Sequence, residues 1–252
     1  MSSAPLLELS GVDLSYGPYR ALFGVSFTVS ARAAVALVGS NGSGKTSVAR
    51  VVSGLVRARA GSIRFDGRDV TRWPAWRIAR AGLVHVPEGR SVLGSLTVEE
   101  NLLLGLEGLA GRHGGAGALE RAYSMFPRLS DRRRQLAGTL SGGEQRMLAL
   151  GRAVAVPEQL LVVDELSLGL SPTVVDEIFS GLREILASGT SLLVIEQHVE
   201  RVLALAERVV VLAHGRVAGE GPAGELAGVL SSLRPSPGRP EPPTSAAGGG
   251  LA

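Results

Sequence analysis

The chain has 252 residues, which is enough for one large domain or for a domain with a smaller subdomain. Hydrophobic residues make up 45% of it and the formal net charge is only +3, so its composition is that of a globular protein and does not imply a nucleic-acid partner. The lack of cysteine excludes disulfides and thiolate metal sites. Because neither a run of about 18 apolar residues nor a standard secretion signal occurs, we expect no membrane span and no secretion.

The first part of the chain predicts a small antiparallel sheet. Apolar alternation and β-branched residues indicate short strands at about residues 6–9, 21–29 and 62–65. Turn signals, "SYGPYR" and "DGRD", follow the first and the third of them. Short strands joined by turns favour antiparallel pairing.

Five continuous apolar runs predict a second, buried sheet. They are "AVALVG", "GLVHVP", "LLVVDE", "SLLVIE" and "RVVVLA", and helical segments separate most of them. Runs without polar alternation are typical of strands that are buried on both faces of a largely parallel sheet. The fold class predicted for the core is therefore α/β.

Residues 91–150 predict a helical subdomain, because strand signals stop there and helical ones replace them in "LTVEENLLLGL", "ALERAYSMF" and "GGEQRMLALGRAVAV". The glycines of "EGLAGRHGGAG" indicate a flexible loop within it, with His113 in solvent. Residues 234–252 are rich in Pro, Gly, Ser and Ala and have almost no large apolar side chains. We expect them to form a disordered tail, since burial cannot offset the entropy of ordering them.

The stretch "GSNGSGKTS", residues 39–47, matches the phosphate-loop pattern G-x-x-x-x-G-K-[ST] between an apolar strand and a helix. Glycines let such a loop wrap tightly, so that backbone N–H groups and the helix N-terminus face phosphate oxygens. Lys45, the only lysine among 26 basic residues, is expected to reach the β- and γ-phosphates, and Thr46 to ligate Mg²⁺. A flexible turn is the alternative. The ATP-binding residues predicted in this loop are Gly39, Ser40, Asn41, Gly42, Ser43, Gly44, Lys45, Thr46 and Ser47.

The run "LLVVDE" ends in two carboxylates, Asp164 and Glu165. In an α/β sheet, ligands lie at the carboxyl ends of the strands. Asp164 suits the Mg²⁺ shell, and Glu165 can orient or deprotonate an attacking water. Solvated strand ends are the alternative, but a phosphate loop in the same chain favours the catalytic interpretation.

The signature segment "LSGGEQ", residues 140–145, precedes a helix and offers a second helix start for an anion. Taken alone, it is more simply explained as a helix N-cap, with Glu144 in the first turn. The presence of the other two motifs in the same chain favours the anion-binding interpretation.

Together, the phosphate loop, the signature segment and "LLVVDE" resemble the ordered motif set of the ABC-type ATPases, over residues 6–231. The resemblance implies a P-loop NTPase (RecA-like) core with an antiparallel β-subdomain and a helical subdomain. It also implies a dimer in which each ATP lies between the phosphate loop of one unit and the signature segment of the other. The residues that would contact the partner's ATP are Ser141, Gly142, Gly143 and Glu144. Tyr16 lies where the family stacks an aromatic ring on adenine, with local packing as the alternative.

Within that family, "VPEGRSVLGSLTVEENLLLGL", "MFPRLSDRRRQLAGTLSGGEQRMLALGRA" and "DELSLGLSP" resemble the ATP-binding subunits of branched-chain amino acid importers, the LivF type. Such subunits pair with a second ABC ATPase, two transmembrane permeases and an extracytoplasmic solute-binding protein. The resemblance thus implies a peripheral position at the cytoplasmic face of the membrane. Importers of urea and short-chain amides have very similar ATPases and remain an alternative.

Three positions depart from the usual family pattern. Glu88, in "VPEGR", replaces a glutamine whose side chain meets Mg²⁺, and a carboxylate can also ligate the metal. Leu166 replaces the proline of "DEP", and we expect this change to tune the rate of ATP hydrolysis without abolishing it. Gln197, not His198, aligns with the histidine that senses the γ-phosphate, as in LivF-type relatives. We expect Gln197 to make a pH-insensitive contact and His198 to be an ordinary residue.

Two functions of other classes compete with import. Soluble ABC proteins of nucleic-acid or ribosome work commonly carry two cassettes or a long coiled-coil insertion, and neither occurs here. A regulatory subunit that binds ATP without hydrolysing it is suggested by Leu166 and by the missing histidine, whereas Lys45 and Glu165 argue against it. We therefore expect an ATPase without a nucleic-acid partner.

Overall fold

The computed structural model describes residues 4–89, 91–109, 115–155, 158–196 and 199–225. The strands in these ranges are β1 (Leu7–Tyr16), β2 (Tyr19–Val29), β3 (Ala34–Val38), β4 (Ala60–Phe65), β5 (Arg68–Asp69), β6 (Leu83–Val86), β7 (Leu160–Asp164), β8 (Ser191–Glu196), β9 (Arg208–Ala213) and β10 (Arg216–Pro222). The helices are α1 (Lys45–Val52), α2 (Ala75–Arg80), α3 (Val98–Leu109), α4 (Gly115–Met125), α5 (Pro127–Asp131), α6 (Gly142–Val154), α7 (Pro172–Ala187) and α8 (Val199–Leu203). The predicted tail 234–252, Gln197, His198 and His113 lie outside the described residues.

A four-stranded sheet has the order β2-β1-β4-β5, and every pairing in it is antiparallel. Leu7 lies at its centre, opposite Val29 of β2 and Phe65 of β4. The antiparallel sheet predicted from the first part of the chain is therefore confirmed. Strand β1 is longer than predicted, because irregular pairings after Leu9 let it continue to Tyr16.

The second sheet has six strands in the order β10-β9-β3-β8-β7-β6. The pairs from β9 to β6 are parallel, and only β10 is antiparallel to its neighbour. The five apolar runs of the sequence form its five parallel strands, as predicted. Strand β10 was missed, since it alternates exposed and half-buried residues and contains glycine and proline.

The parallel sheet is covered on both faces, and alternate residues of one strand belong to different cores. Leu193 and Ile195 of β8 pack toward the antiparallel sheet and α1, in a core that includes Val48. Leu192 and Val194 point the opposite way, toward α6 and α7. Burial on both faces is the reason that these strands carry no polar alternation.

Helices α3, α4 and α5 pack on α6, at the side of the sheet that also holds α7. Gly151 allows this close approach, because a Cβ there would lie 3.1 Å from Leu102 and 3.5 Å from Ala122. The three helical stretches predicted in this region are confirmed. Both ends of the stretch predicted as a loop, residues 107–117, are helical, since α3 continues to Leu109 and α4 begins at Gly115. Over the described parts of the chain, no helix has the length and apolarity needed to cross a membrane.

The crossing of β1 and β4 gives a testable prediction. Gly61 of β4 has a φ of +83°, and a Cβ there would lie 2.3 Å from the Gly11 carbonyl oxygen. We expect Gly61→Ala to lower the free energy of unfolding by about 3 kcal/mol, from overpacking added to left-handed strain. Denaturant unfolding of the purified protein measures this.

Gly67 provides the matched control, because its φ is +71° and a Cβ added there would have no neighbour within 4 Å. We expect Gly67→Ala to cost only the left-handed strain, about 1 kcal/mol. If both variants lose the same free energy of unfolding, the backbone at Gly11 moves aside without an energetic cost and the overpacking explanation is wrong.

Candidate functional site

A cleft of about 650 Å³ lies at the carboxyl edge of the parallel sheet, where the phosphate loop joins β3 to α1. It brings together residues from five separate stretches of the chain, which are part of β2 and the segments that follow β3, β6, β7 and β9. Its lining residues are Arg20, Ala21, Phe23, Asn41, Gly42, Gly44, Lys45, Thr46, Ser47, Glu88, Glu165, Leu168, His214 and Gly215. The carboxyl edge is where ligands bind in open α/β sheets, as the sequence predicted for these motifs.

The phosphate loop is wound around the head of Lys45. The ammonium donates hydrogen bonds to the carbonyl oxygens of Gly39 at 3.0 Å and Ser40 at 3.1 Å, and the residue is only 4% exposed. Gly39 has no room for a side chain, since a Cβ would lie 2.3 Å from the Leu212 carbonyl oxygen. Gly44 has a φ of 107° just before α1 begins. The loop thus holds the ammonium at the helix start, where phosphate oxygens bind.

Asp164 ends β7 as a fully buried carboxylate. Neither of its oxygens has a hydrogen-bond partner among the described residues. Burial raises the pKa of Asp164 to about 6, and the nearby Thr46 hydroxyl opposes that rise without satisfying either oxygen. Glu165 and Glu88 raise this pKa further, whereas Lys45 lowers it. Two orphaned carboxylate oxygens in a dry site are suited to a divalent cation.

This donor set fits Mg²⁺ better than a cation that needs an all-protein cage. In the described ranges, no three His, Cys, Asp or Glu side chains converge to hold a metal by themselves. Mg²⁺ usually takes one or two carboxylates and completes its shell with waters and substrate phosphates. Asp164 and the Thr46 hydroxyl can supply the protein ligands, and Glu88 lines the same cleft.

Glu165 is 7% exposed and forms an ion pair with Lys45, at 3.2 Å from Oε1 to Nζ. Its backbone N–H donates to the carbonyl of Ile195 at 2.9 Å, which extends the pairing of β7 with β8 by one residue. Its φ is 46°, in the left-handed region that non-glycine residues rarely adopt. Such strain persists only where surrounding contacts enforce it, and it concentrates at functional sites.

The signature segment begins α6 with a capping box. The Ser141 hydroxyl accepts from the Glu144 N–H, and the Glu144 carboxylate accepts from the Ser141 N–H at 2.9 Å. Ser141 and Gly142 are exposed, whereas a Cβ at Gly143 would lie 2.4 Å from Val174. The N-cap interpretation is correct for the single chain. Residues 140–145 do not line the cleft, and their predicted contact with a partner's ATP stays a prediction.

Tyr16, the residue predicted to stack on adenine, ends β1 with 37% of its surface exposed and does not line the cleft. Its role stays a prediction. The aromatic ring in the cleft is Phe23, with the Arg20 guanidinium 4.5 Å from the ring centroid. Phe23 and His214 were not predicted from the sequence, since a strand phenylalanine and a turn histidine match no motif. Gln197 lies outside the described residues, so its role also stays a prediction.

Comparison with known proteins identifies relatives over most of the chain. Residues 22–167 match the family model described as ABC transporter. The high-affinity branched-chain amino acid transport ATP-binding protein BraG of Pseudomonas aeruginosa is 39% identical over 212 residues, which is 84% of this chain and 91% of that protein. The probable branched-chain amino acid transport ATP-binding protein LivF of Archaeoglobus fulgidus is 31% identical, over 88% of this chain and 94% of that protein.

A solved structure agrees with these relatives. The crystal structure of an ATP-binding cassette of an ABC transporter in its ADP conformation is similar with a TM-score of 0.79 at 28% identity. The likeness covers 92% of this chain and 96% of that chain. The predicted fold class, a P-loop NTPase core with an antiparallel β-subdomain and a helical subdomain, is confirmed.

The buried Asp164 predicts an unusual dependence of stability on pH. Its pKa is about 6 in the folded chain against an ordinary value of 3.8, so the folded chain binds this proton more tightly than the unfolded chain does. The stability that the proton contributes is complete below pH 3.8 and is lost as the pH rises through 6. We expect Asp164→Asn to raise the free energy of unfolding by about 1–2 kcal/mol at pH 8 and by almost nothing at pH 4. Denaturant unfolding at both pH values, without nucleotide or Mg²⁺, measures the difference.

Asp69→Asn is the control. Hydrogen bonds from Thr71 hold the pKa of the Asp69 carboxyl below its usual value, so its ionised form is favoured in the folded chain. We therefore expect Asp69→Asn not to raise the free energy of unfolding at pH 8. A gain of equal size at pH 4 and pH 8 in Asp164→Asn would contradict the assignment of the raised pKa to Asp164.

Proposed function

The chain belongs to the ABC transporter family of ATP-binding cassettes, and from that premise we propose that it is the ATP-hydrolysing subunit of an importer for branched-chain amino acids. The ATPase activity follows from the family. The choice of import and of solute rests on one observation, the likeness to two branched-chain amino acid transport ATP-binding proteins over most of both chains. The buried cluster of Lys45, Asp164 and Glu165 supports hydrolysis.

In this proposal, the phosphate loop, residues 39–47, binds the β- and γ-phosphates of ATP. Lys45 supplies the positive charge, which is already fixed by the Gly39 and Ser40 carbonyls. Asp164 and Thr46 hold Mg²⁺, with Glu88 as a third ligand from the loop after β6. The metal, when bound, neutralises charge on the phosphates.

Glu165 is the group that we assign to the attacking water. Its carboxylate lines the cleft beside Lys45, within reach of the space above the phosphate loop. When phosphate oxygens draw the ammonium away, the 3.2 Å ion pair with Lys45 weakens and the Glu165 carboxylate can accept a proton or orient the water. Gln197 is proposed to donate from its carboxamide to the γ-phosphate, and Tyr16 to stack on adenine.

A second ABC ATPase, homologous or identical, is required to complete each site. Ser141 and Gly142 face solvent at the N-terminus of α6, away from the cleft of their own chain. In a head-to-tail pair, the signature residues Ser141, Gly142, Gly143 and Glu144 would meet the γ-phosphate in the partner's cleft. Helix N-termini favour such an anion.

The proposed assembly contains two transmembrane permeases and an extracytoplasmic solute-binding protein. In it the chain lies at the cytoplasmic face of the membrane, bound through the permeases, and needs no nucleic acid. We propose an ATPase domain over residues 6–231, with the helical subdomain at 91–150, and a tail at 234–252. A urea or short-chain amide importer would use the same cassette, because the solute never contacts it.

The importer proposal is tested by purifying the tagged chain from the membranes of its own host. We expect two multi-span proteins to co-purify with it, and we expect the complex to hydrolyse ATP and to be stimulated by a binding protein loaded with leucine, isoleucine or valine. If ATP hydrolysis is stimulated only by a binding protein loaded with urea or an amide, the proposed solute is wrong and the urea or amide importer is correct. Repeated isolation of the chain without membrane proteins would contradict transport.

Within that complex, Glu165→Gln should lower ATP hydrolysis at least 100-fold while leaving ATP affinity within about threefold, the range expected for loss of a general base. Glu177→Gln, on the surface of α7, is the control and should keep normal activity. If Glu165→Gln leaves hydrolysis intact, the proposed catalytic role is wrong. If wild-type protein binds ATP but releases no phosphate, the regulatory alternative is correct.

The assignment of Gln197 over His198 gives a separate prediction. The sequence predicts an extended segment at the end of β8, on which neighbouring residues would point to opposite sides, so that only one of the two would reach the γ-phosphate. We expect Gln197→Ala to lower the rate of hydrolysis about tenfold and His198→Ala to change it less than twofold. A pH profile adds a second readout, since a carboxamide contact does not titrate. The reverse pattern, with loss of activity only in His198→Ala, would exchange the two roles.

A further inference from the structure

Glu196, the last residue of β8, is a buried carboxylate whose two oxygens are both engaged by a single residue. Oε1 accepts a hydrogen bond from the Ser167 backbone N–H at 2.9 Å, and Oε2 accepts one from the Ser167 hydroxyl at 2.7 Å. Both residues are 2% exposed. Two short bonds to one carboxylate in a dry site hold Ser167 in a single orientation.

Arg146 compensates the buried charge of Glu196 and contacts the same segment. Its guanidinium, on the second turn of α6, donates to the Leu166 carbonyl oxygen. Burial lowers the pKa of Arg146, and the carboxylates of Glu196 and Glu88 oppose that change. The guanidinium therefore lies in the field of Glu196 and helps to make a buried carboxylate tolerable.

Three successive residues after β7 are thus restrained from outside their own segment. The Glu165 N–H is bound to the Ile195 carbonyl, the Leu166 carbonyl to Arg146, and Ser167 to Glu196. Glu165 is the strained member, with its φ of 46°. An isolated turn of this sequence would relax toward right-handed or extended backbone, because a left-handed residue with a side chain is disfavoured.

We propose that Glu196 is a positioning residue for ATP hydrolysis, which holds Ser167 so that Glu165 keeps its left-handed conformation and its carboxylate stays in the cleft. Glu196 does not line the cleft, and it reaches the segment that carries Glu165 through its two hydrogen bonds with Ser167. The inference rests on the proposed role of Glu165. It also gives α6 a route to the catalytic carboxylate, since Arg146 and Ser141 belong to the start of the same helix.

A purely structural role makes a different prediction. Replacing a buried ion by a neutral residue of similar shape is often neutral or stabilising, so stability alone gives no reason to retain a carboxylate here. A structural contact, when lost, lowers the melting temperature and leaves the turnover of the folded fraction unchanged. A positioning contact, when lost, lowers kcat for molecules that are still folded and still bind ATP.

The test measures kcat and KM for ATP in full-length variants, together with their melting temperatures. We expect Glu196→Ala to lower kcat about 30-fold with KM for ATP within threefold of the wild-type value. Glu196→Gln, whose carbonyl can still accept from the Ser167 N–H, should recover activity to within about fivefold of wild type. Ser167→Ala should lower kcat about fivefold, and the double variant Glu196→Ala with Ser167→Ala should be no worse than Glu196→Ala alone.

A second carboxylate, just outside the parallel sheet at the amino end of β7, serves as the matched control. Glu158, which lies before β7 at the opposite edge, accepts from the Thr190 hydroxyl at 3.3 Å. Glu158→Ala and Thr190→Ala remove the same kind of contact far from the cleft, and both should leave kcat within twofold. Should Glu196→Ala fold poorly, the comparison of Ser167→Ala and Glu196→Gln with these controls decides the question.

Three results would overturn the inference. They are a kcat in Glu196→Ala no lower than in Glu158→Ala, a fall in kcat/KM that comes entirely from KM, or losses in Ser167→Ala and Glu196→Ala that multiply in the double variant. These outcomes are distinct from failure of the proposed function. If Glu165→Gln abolishes hydrolysis while Glu196→Ala behaves as its control does, the catalytic role of Glu165 stands and only the positioning role of Glu196 is wrong.

Discussion

The burial of three charges at one edge of the parallel sheet is the constraint on which the rest of the structure depends. Lys45, Asp164 and Glu165 are each 7% exposed or less, and removing such groups from water is costly unless each is paired. Lys45 forms an ion pair with Glu165 and also donates hydrogen bonds to carbonyl oxygens of the phosphate loop. The oxygens of Asp164, in contrast, have no hydrogen-bond partner within the described chain. The unpaired carboxylate lowers the stability of the empty site, and a cation and phosphates that bind there would raise the stability of the folded chain.

Holding that edge together requires segments that are distant in sequence. The turn between β9 and β10 is bound to the phosphate loop, through Gly215 N–H to the Ser43 carbonyl at 2.9 Å, and to the antiparallel sheet, through Phe23 N–H to the Gly215 carbonyl at 2.8 Å. Gly215 has no space for a side chain, since a Cβ would lie 2.3 Å from the Ala21 carbonyl oxygen. The antiparallel sheet, the phosphate loop and this turn therefore form one wall of the cleft and cannot shift independently.

Most of the fold could be predicted because its signals are local. Continuous apolar runs identify buried strands, and the phosphate loop carries its own flanking strand and helix. What escaped prediction depends on contacts between remote segments. Strand β10 contains glycine and proline and no fully buried residue, Phe23 resembles any core residue, and Glu196 resembles any polar strand end until its oxygens are found on Ser167. Tyr16 illustrates the reverse case, since its motif position predicts a nucleotide contact and the described cleft does not include it.

The start of α6 carries the residues that, in the proposed head-to-tail pair, would meet the phosphate of a second chain. Glu144 occupies the positive end of this helix in the single chain, and an incoming γ-phosphate would meet its negative charge there. Burial raises the pKa of Glu144, yet hydrogen bonds from Ser141 and the Arg132 guanidinium bring it below the usual value, so the carboxylate is ionised. Arg132 lies 2.7 Å from that carboxylate and offsets its charge. With the repulsion reduced, the exposed Ser141 hydroxyl and the Gly142 N–H would bind a phosphate of the proposed second chain, and the contact of Arg146 with the Leu166 carbonyl would connect that binding to the segment that carries Glu165.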